Sequence, residues 1–132
     1  MVRLTIRIDL SPTRAVGPGK IRLLELIAEK GSISAAGRAM DMSYRRAWLL
    51  VDELNRLFKE RVATTKLGGK AGGGAALTAF GRHLVAEYRA VERALHASSS
   101  KRLAAIERMV ARPKRLPRRA QKRRSGRPRR TR

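Results

Sequence analysis

A chain of 132 residues has room for one domain of ordinary size, and its 32 lysines and arginines against 10 acidic residues leave a formal charge of +22, which points to a polyanion as partner. The absence of cysteine excludes disulfides, thiolate metal sites and a cysteine nucleophile. No apolar run approaches the roughly 20 residues of a membrane span and the N-terminus carries no signal-peptide core, so a cytoplasmic, nucleoid-associated location without membrane contact is expected.

Val2, Leu4, Ile6 and Ile8 alternate with Arg3, Thr5, Arg7 and Asp9, which predicts a half-buried strand with a cationic face. Ser11-Pro12-Thr13 and Gly17-Pro18-Gly19 are loop chemistry. A first helix is predicted over Gly19–Lys30, with Ile21, Leu24, Ile27 and Ala28 as its core stripe and Gly31 at the position that ends it. A second runs from Ile33 to Met40 behind a Ser32 cap, and its Ala35, Ala36 and Ala39 leave room for another helix to approach. Asp41-Met42 is the turn, where aspartate tolerates a left-handed backbone better than most residues. A third helix, Tyr44–Lys59 capped by Ser43, repeats Ala47, Val51, Leu54 and Phe58 at the helical period, supported by Leu50 and Leu57. Val62–Leu67 reads as a strand, Gly68–Ala75 as a flexible loop, and Ala76-Leu77 as a short returning strand. Thr78 caps a long final helix. Leu84, Tyr88, Val91 and Leu95 form a short heptad-like stripe on it, Ser98–Ser100 interrupt that stripe, and Leu103, Ile106 and Val110 resume it.

Charge divides the chain. Residues 1–111 hold 20 basic and all 10 acidic residues, and residues 112–132 hold 12 basic residues and no acidic one. Arginine, lysine and proline at that density cannot bury a core, so the tail is expected to be disordered on its own and to bind polyanions without sequence preference.

A short helix, a tight turn, a longer basic-tipped helix and a glycine-rich loop follow one another in the order of a winged helix-turn-helix. In that arrangement the first turn of the longer helix meets base edges in the major groove. Arg45 and Arg46 offer planar forks that match guanine or phosphate, Ser43 and Tyr44 stand beside them, and Trp48 lies one turn on from Tyr44, where it serves packing or a backbone contact. Gly68-Gly69-Lys70 and Gly72-Gly73-Gly74 are not a phosphate cradle of the nucleotide-binding type, because the run ends in Ala75-Ala76-Leu77-Thr78 and not in Gly-Lys-Ser/Thr. They suit a wing in which Lys66 and Lys70 contact phosphates. His83 and His96 sit among no catalytic or metal-ligand pattern, so no catalytic residue, metal or cofactor is expected, and the chain is not read as an enzyme. The final helix is too long for a small domain to cover, which assigns Leu84, Tyr88, Val91 and Leu95 to a homodimer seam.

These strings also carry a resemblance. Gly31–Ala36, Met42-Ser43-Tyr44-Arg45-Arg46-Ala47-Trp48 continuing to Val51–Asn55, and Gly68-Gly69-Lys70 with Gly72–Ala75 before Leu77-Thr78 and Gly81 are similar to the DNA-binding domain of the ModE family of molybdate-responsive regulators. That domain is itself similar to the LysR-type winged helix. The resemblance covers Leu23 to about Leu95 and implies a homodimeric regulator bound to double-stranded DNA, with Ser43, Tyr44, Arg45, Arg46 and the wing residue Lys70 on the DNA. Asp41 stands where the family often has glycine. Full-length members carry a C-terminal molybdate-binding region, whereas here a basic tail follows the last helix, so molybdate binding is not expected of this chain.

The expected architecture is therefore mainly α with a small β-wing. Residues 1–97 form the winged helix-turn-helix with most of the dimerisation helix, 98–111 extend that helix, and 112–132 are the tail. The expected function is sequence-specific transcriptional regulation. The alternatives are a nucleoid-associated packaging protein and an RNA-binding protein, both dominated by the tail.

Overall fold

The computed structural model describes residues 2–66 and 74–111. It is mainly helical, with two small antiparallel sheets. The elements in chain order are β1 (Ile8–Ser11), β2 (Arg14–Val16), α1 (Pro18–Lys30), α2 (Ile33–Ala39), α3 (Tyr44–Leu57), β3 (Ala63–Lys66), β4 (Gly74–Leu77) and α4 (Ala79–Met109).

β1 and β2 form a hairpin with Ile8 opposite Val16 and a bulge between Asp9 and Ser11. The strand expected over residues 2–9 is thus shorter and shifted. The burial does alternate, with Val2, Leu4, Ile6 and Ile8 half-buried and Arg3, Thr5, Arg7 and Asp9 exposed, yet only Ile8 and Asp9 of that stretch enter the strand. Its partner β2 is three residues long, too short for alternation to reveal.

α1 is the central element. It packs against α2, α3, α4 and β4, so its apolar surface is wider than one stripe: Leu23 and Leu26 are buried with Ile21, Leu24 and Ile27. Ala28, expected in the core, is exposed. Gly31 ends the helix at φ 74° with its N–H donating to the Ile27 carbonyl, the left-handed position at which glycine carries no Cβ penalty. α2 and α3 are capped as their sequences predict: Ser32 Oγ accepts from Ala35 N–H at 3.0 Å and Ser43 Oγ from Arg46 N–H at 3.1 Å. Asp41 in the turn adopts φ 56°. Close approach of the two helices centres on Ala36 and Gly37, where a Cβ on Gly37 would stand 3.1 Å from Ala47 Cβ. Ala39, by contrast, is exposed.

β3 and β4 pair antiparallel from Ala63–Leu77 to Lys66–Gly74. The segment between them, with Leu67 and Lys70, and the whole of 112–132 lie outside the described residues. α4 follows the Thr78 cap, whose Oγ1 accepts from Gly81 N–H at 2.9 Å. A Cβ on Gly81 would lie 1.9 Å from the Val62 carbonyl oxygen, so α4 can seat here only on a residue without one. The helix runs unbroken through Ser98–Ser100, whose hydroxyls donate to carbonyls of Leu95 and Ala97 one turn back.

Candidate nucleic-acid interface

Ala47, Val51 and Leu54 turn α3 toward the core, with Leu50 and Phe58 packed at its margin. At 100° per residue the remaining positions of α3 divide into three lines. Tyr44 and Trp48 share one side. Arg46, Leu50 and Glu53 share a second, about 200° from Tyr44. Arg45 and Leu49 lie between them on the line facing away from the core. Tyr44 is 59%, Trp48 43% and Leu49 49% exposed. Trp48 thus lies outside the buried core.

The two sides open onto different hairpins. Tyr44 and Trp48 line a cleft of about 310 Å³ with Ile33, Ser34, Thr65 and Lys66, between α3 and the β3–β4 hairpin. Arg46, Leu50 and Glu53 line another of about 430 Å³ with Arg7, Thr13, Met40 and Met42, between α3 and the β1–β2 hairpin.

The electrostatics of the first turn of α3 run against its own stability. It contains no acidic residue, and Arg45 and Arg46 stand at the positive end of the helix dipole, where cations are unfavourable. Among the described residues neither guanidinium nor the Lys66 ammonium makes an ion pair. The two carboxylates of α3 itself are paired, Asp52 with Arg56 at 3.1 Å and Glu53 with Lys20 at 3.2 Å, and the exposed Asp41 stands in the turn before the helix. Of the predicted contacts, Ser43, Tyr44, Arg45, Arg46 and Trp48 share the cap and first two turns of α3, with Tyr44 and Trp48 on one cleft and Arg46 on the other; Lys66 lies across the cleft from Tyr44 and Trp48, and Lys70 lies outside the described residues.

Three residues contribute to the geometry around α3 without a signal in the sequence pattern: Asn55, Arg7 and Thr13. Asn55 pins the hairpin to α3: its Oδ1 accepts from Val62 N–H at 2.8 Å and Ala63 N–H at 3.2 Å, and its Nδ2 donates to the Ala63 carbonyl at 3.2 Å. An amide that meets three backbone groups at a strand start has no periodic signature. Thr13 lies in the β1–β2 turn, which reads as plain loop, and Arg7 stands just before β1, where alternation shows an exposed cation but not the cleft it lines.

The heptad-like stripe of α4 divides. Tyr88 is 2% exposed and its hydroxyl donates to the Ile6 carbonyl at 2.6 Å, so it is spent inside the chain's own fold, and Leu84 packs at the core margin. Burial raises the Tyr88 pKa above 10.0, Glu92 adds to that effect, and Arg89 opposes it. Val91 and Leu95 stay open at 40% and 42% exposure. Between them and the core, Arg89 grips Glu25 of α1 with Nη2 at 2.6 Å and Nε at 3.3 Å, and Glu92 with Nη1 at 2.5 Å. These hydrogen bonds raise the Arg89 pKa.

Among the described residues no helix is long and apolar enough to cross a membrane.

No family model matches the chain. It is similar to molybdenum transport protein ModE of Azotobacter vinelandii, 39% identical over 92 residues, which are 70% of this chain and 33% of that protein. It is also 47% identical over 77 residues to molybdenum-pterin-binding protein MopB of Rhodobacter capsulatus, covering 58% of this chain and 28% of the relative. The DNA-binding transcriptional dual regulator ModE of Escherichia coli is 41% identical over 71 residues, 54% of this chain and 27% of its own. The chain thus spans about a third or less of the length of these curated relatives. Over more than half of its own length it is related to the ModE and Mop proteins.

Proposed function

We propose that the protein is a winged helix-turn-helix transcription regulator that binds double-stranded DNA as a homodimer. The observation that carries this reading is the first turn of α3: arginines at the positive end of a helix, exposed, with no acidic residue in the turn and no ion pair among the described residues. That arrangement costs the isolated fold stability and suits a polyanion. α3 enters the major groove with Tyr44, Arg45 and Arg46 at its leading end, α2 braces it, and the β3–β4 hairpin is the wing, with Lys66 and the undescribed Lys70 on phosphates. Ser43 holds the turn in shape by capping. Relatives named as transcriptional regulators support the same reading. Val91 and Leu95, with Leu84 at their base, join two protomers, while Tyr88 supports the seam from inside. The cationic tail adds sequence-independent affinity.

Selection of bound DNA from a random pool at physiological salt tests this. The expected result is one motif with two-fold symmetry, preferred over random duplex by roughly 10³ or more. Enrichment of no motif would favour a packaging protein instead.

A further inference from the structure

We propose that the β1–β2 hairpin, with Arg7 just before it, is a second backbone-gripping arm, whose Arg7 and Thr13 hold phosphates together with Arg46 of α3, on the side of α3 opposite the β3–β4 hairpin. The proposal rests on the duplex-binding reading and assigns α3 a division of labour. A helix in the major groove lies between two phosphate walls about 12 Å apart. α3 has a cleft on each side, and each is lined by a different hairpin. On the β3–β4 side Lys66 and Ser34 face Tyr44 and Trp48. On the β1–β2 side Arg7 and Thr13 face Arg46.

The charges of that second cleft favour an anion. Lys20 Nζ donates to the Ala15 carbonyl at 2.9 Å and to Glu53 at 3.2 Å, so the one carboxylate lining the cleft is neutralised and its lysine is committed. Arg46 is left without an ion pair among the described residues. Arg7 bridges Asp9 at 3.0 Å, but both side chains are more than two-thirds exposed, at 73% and 70%. An ion pair this solvated is weak, and the Arg7 guanidinium exchanges it readily for a phosphate. Arg46 therefore positions the duplex, and base choice falls to Arg45 and Leu49 on the outermost line of α3: a guanidinium for guanine and an apolar contact for a thymine methyl.

The test is a salt titration of the full chain on a random-sequence duplex, comparing the wild type with Arg7→Ala, Arg7→Ala/Arg46→Ala and Arg22→Ala. Arg22→Ala makes the same charge change on α1 beside Glu25. The log–log slope should fall by about 0.9 for Arg7→Ala and by about twice that for the double variant, with Arg22→Ala unchanged. The motif selected by Arg7→Ala should remain that of the wild type. Slopes for Arg7→Ala and the double variant equal to that of Arg22→Ala would overturn the hairpin arm alone. Wild-type protein that bound no duplex would overturn the wider reading and this one with it.

Discussion

The seam between α1 and α4 and the leading end of α3 use the same side chain for opposite ends. At the seam Arg89 is ringed by Glu25 and Glu92, half-buried and bidentate, and it ties α4 to Glu25 of α1, 64 residues away in sequence. At α3 Arg45 and Arg46 are exposed, unpaired among the described residues and set against the helix dipole. The difference lies in where the few carboxylates are placed. Of the 10 acidic residues in the chain, Glu25 and Glu92 surround Arg89, whereas the two carboxylates of α3 are held by Lys20 and Arg56 and not by Arg45 or Arg46. An arginine with carboxylate partners is structural, and one left without them is available to a partner.

The contrast can be broken most forcefully at the seating of α4. Gly81→Ala puts a methyl group 1.9 Å from the Val62 carbonyl oxygen, so α4 must lift off the hairpin. The expected loss is about 3 kcal/mol or more, read by urea denaturation. An unchanged midpoint would mean that the seam does not depend on that approach. Arg89→Ala is next. It leaves Glu25 and Glu92 facing one another, and because the group is partly exposed the expected loss is about 1–2 kcal/mol. Arg45→Ala, measured in the same way, should change stability by less than about 0.5 kcal/mol or raise it slightly. Equal destabilisation by the two variants would mean that Arg45 and Arg89 serve the fold alike.

Tyr88 gives the smallest and most selective effect. Its pKa is raised above 10.0 in the fold, so the folded state favours the protonated phenol. The stability this contributes is complete below about pH 10 and is lost as pH rises through the folded value. Denaturation from pH 8 to 11 should show a falling limb in the wild type that is flattened in Tyr88→Phe. The variant should also be about 1 kcal/mol less stable at pH 8, for want of the bond to the Ile6 carbonyl. Parallel pH profiles would detach Tyr88 from that limb.

Much of this arrangement is legible in the residues. Ser32, Ser43 and Thr78 announce three helix starts because a side-chain cap is a local event, and Gly31 and Asp41 mark left-handed turns for the same reason. The core face of α3 follows from period alone. What stays hidden depends on neighbours distant in sequence. Leu23 and Leu26 are buried because α1 is surrounded by four elements, and a single-stripe expectation cannot include them. Tyr88 belongs to a heptad-like pattern, yet the N-terminal segment, 82 residues away in sequence, claims its hydroxyl. Asn55 and the second cleft of α3 appear only once the hairpins are folded against that helix. At the candidate site, then, the residue types were readable, whereas the sides of α3 on which they fall relative to the two hairpins were not.

The most direct test of the claim that α3 reads DNA is to select bound sequences from one random pool with the wild-type chain and with Arg45→Ala, at physiological salt. The wild type should enrich a two-fold-related motif, and Arg45→Ala should lose preference at one position in each half of it, worth about 1–3 kcal/mol per contact. An identical motif from both proteins would contradict the assignment of base reading to the open face of α3.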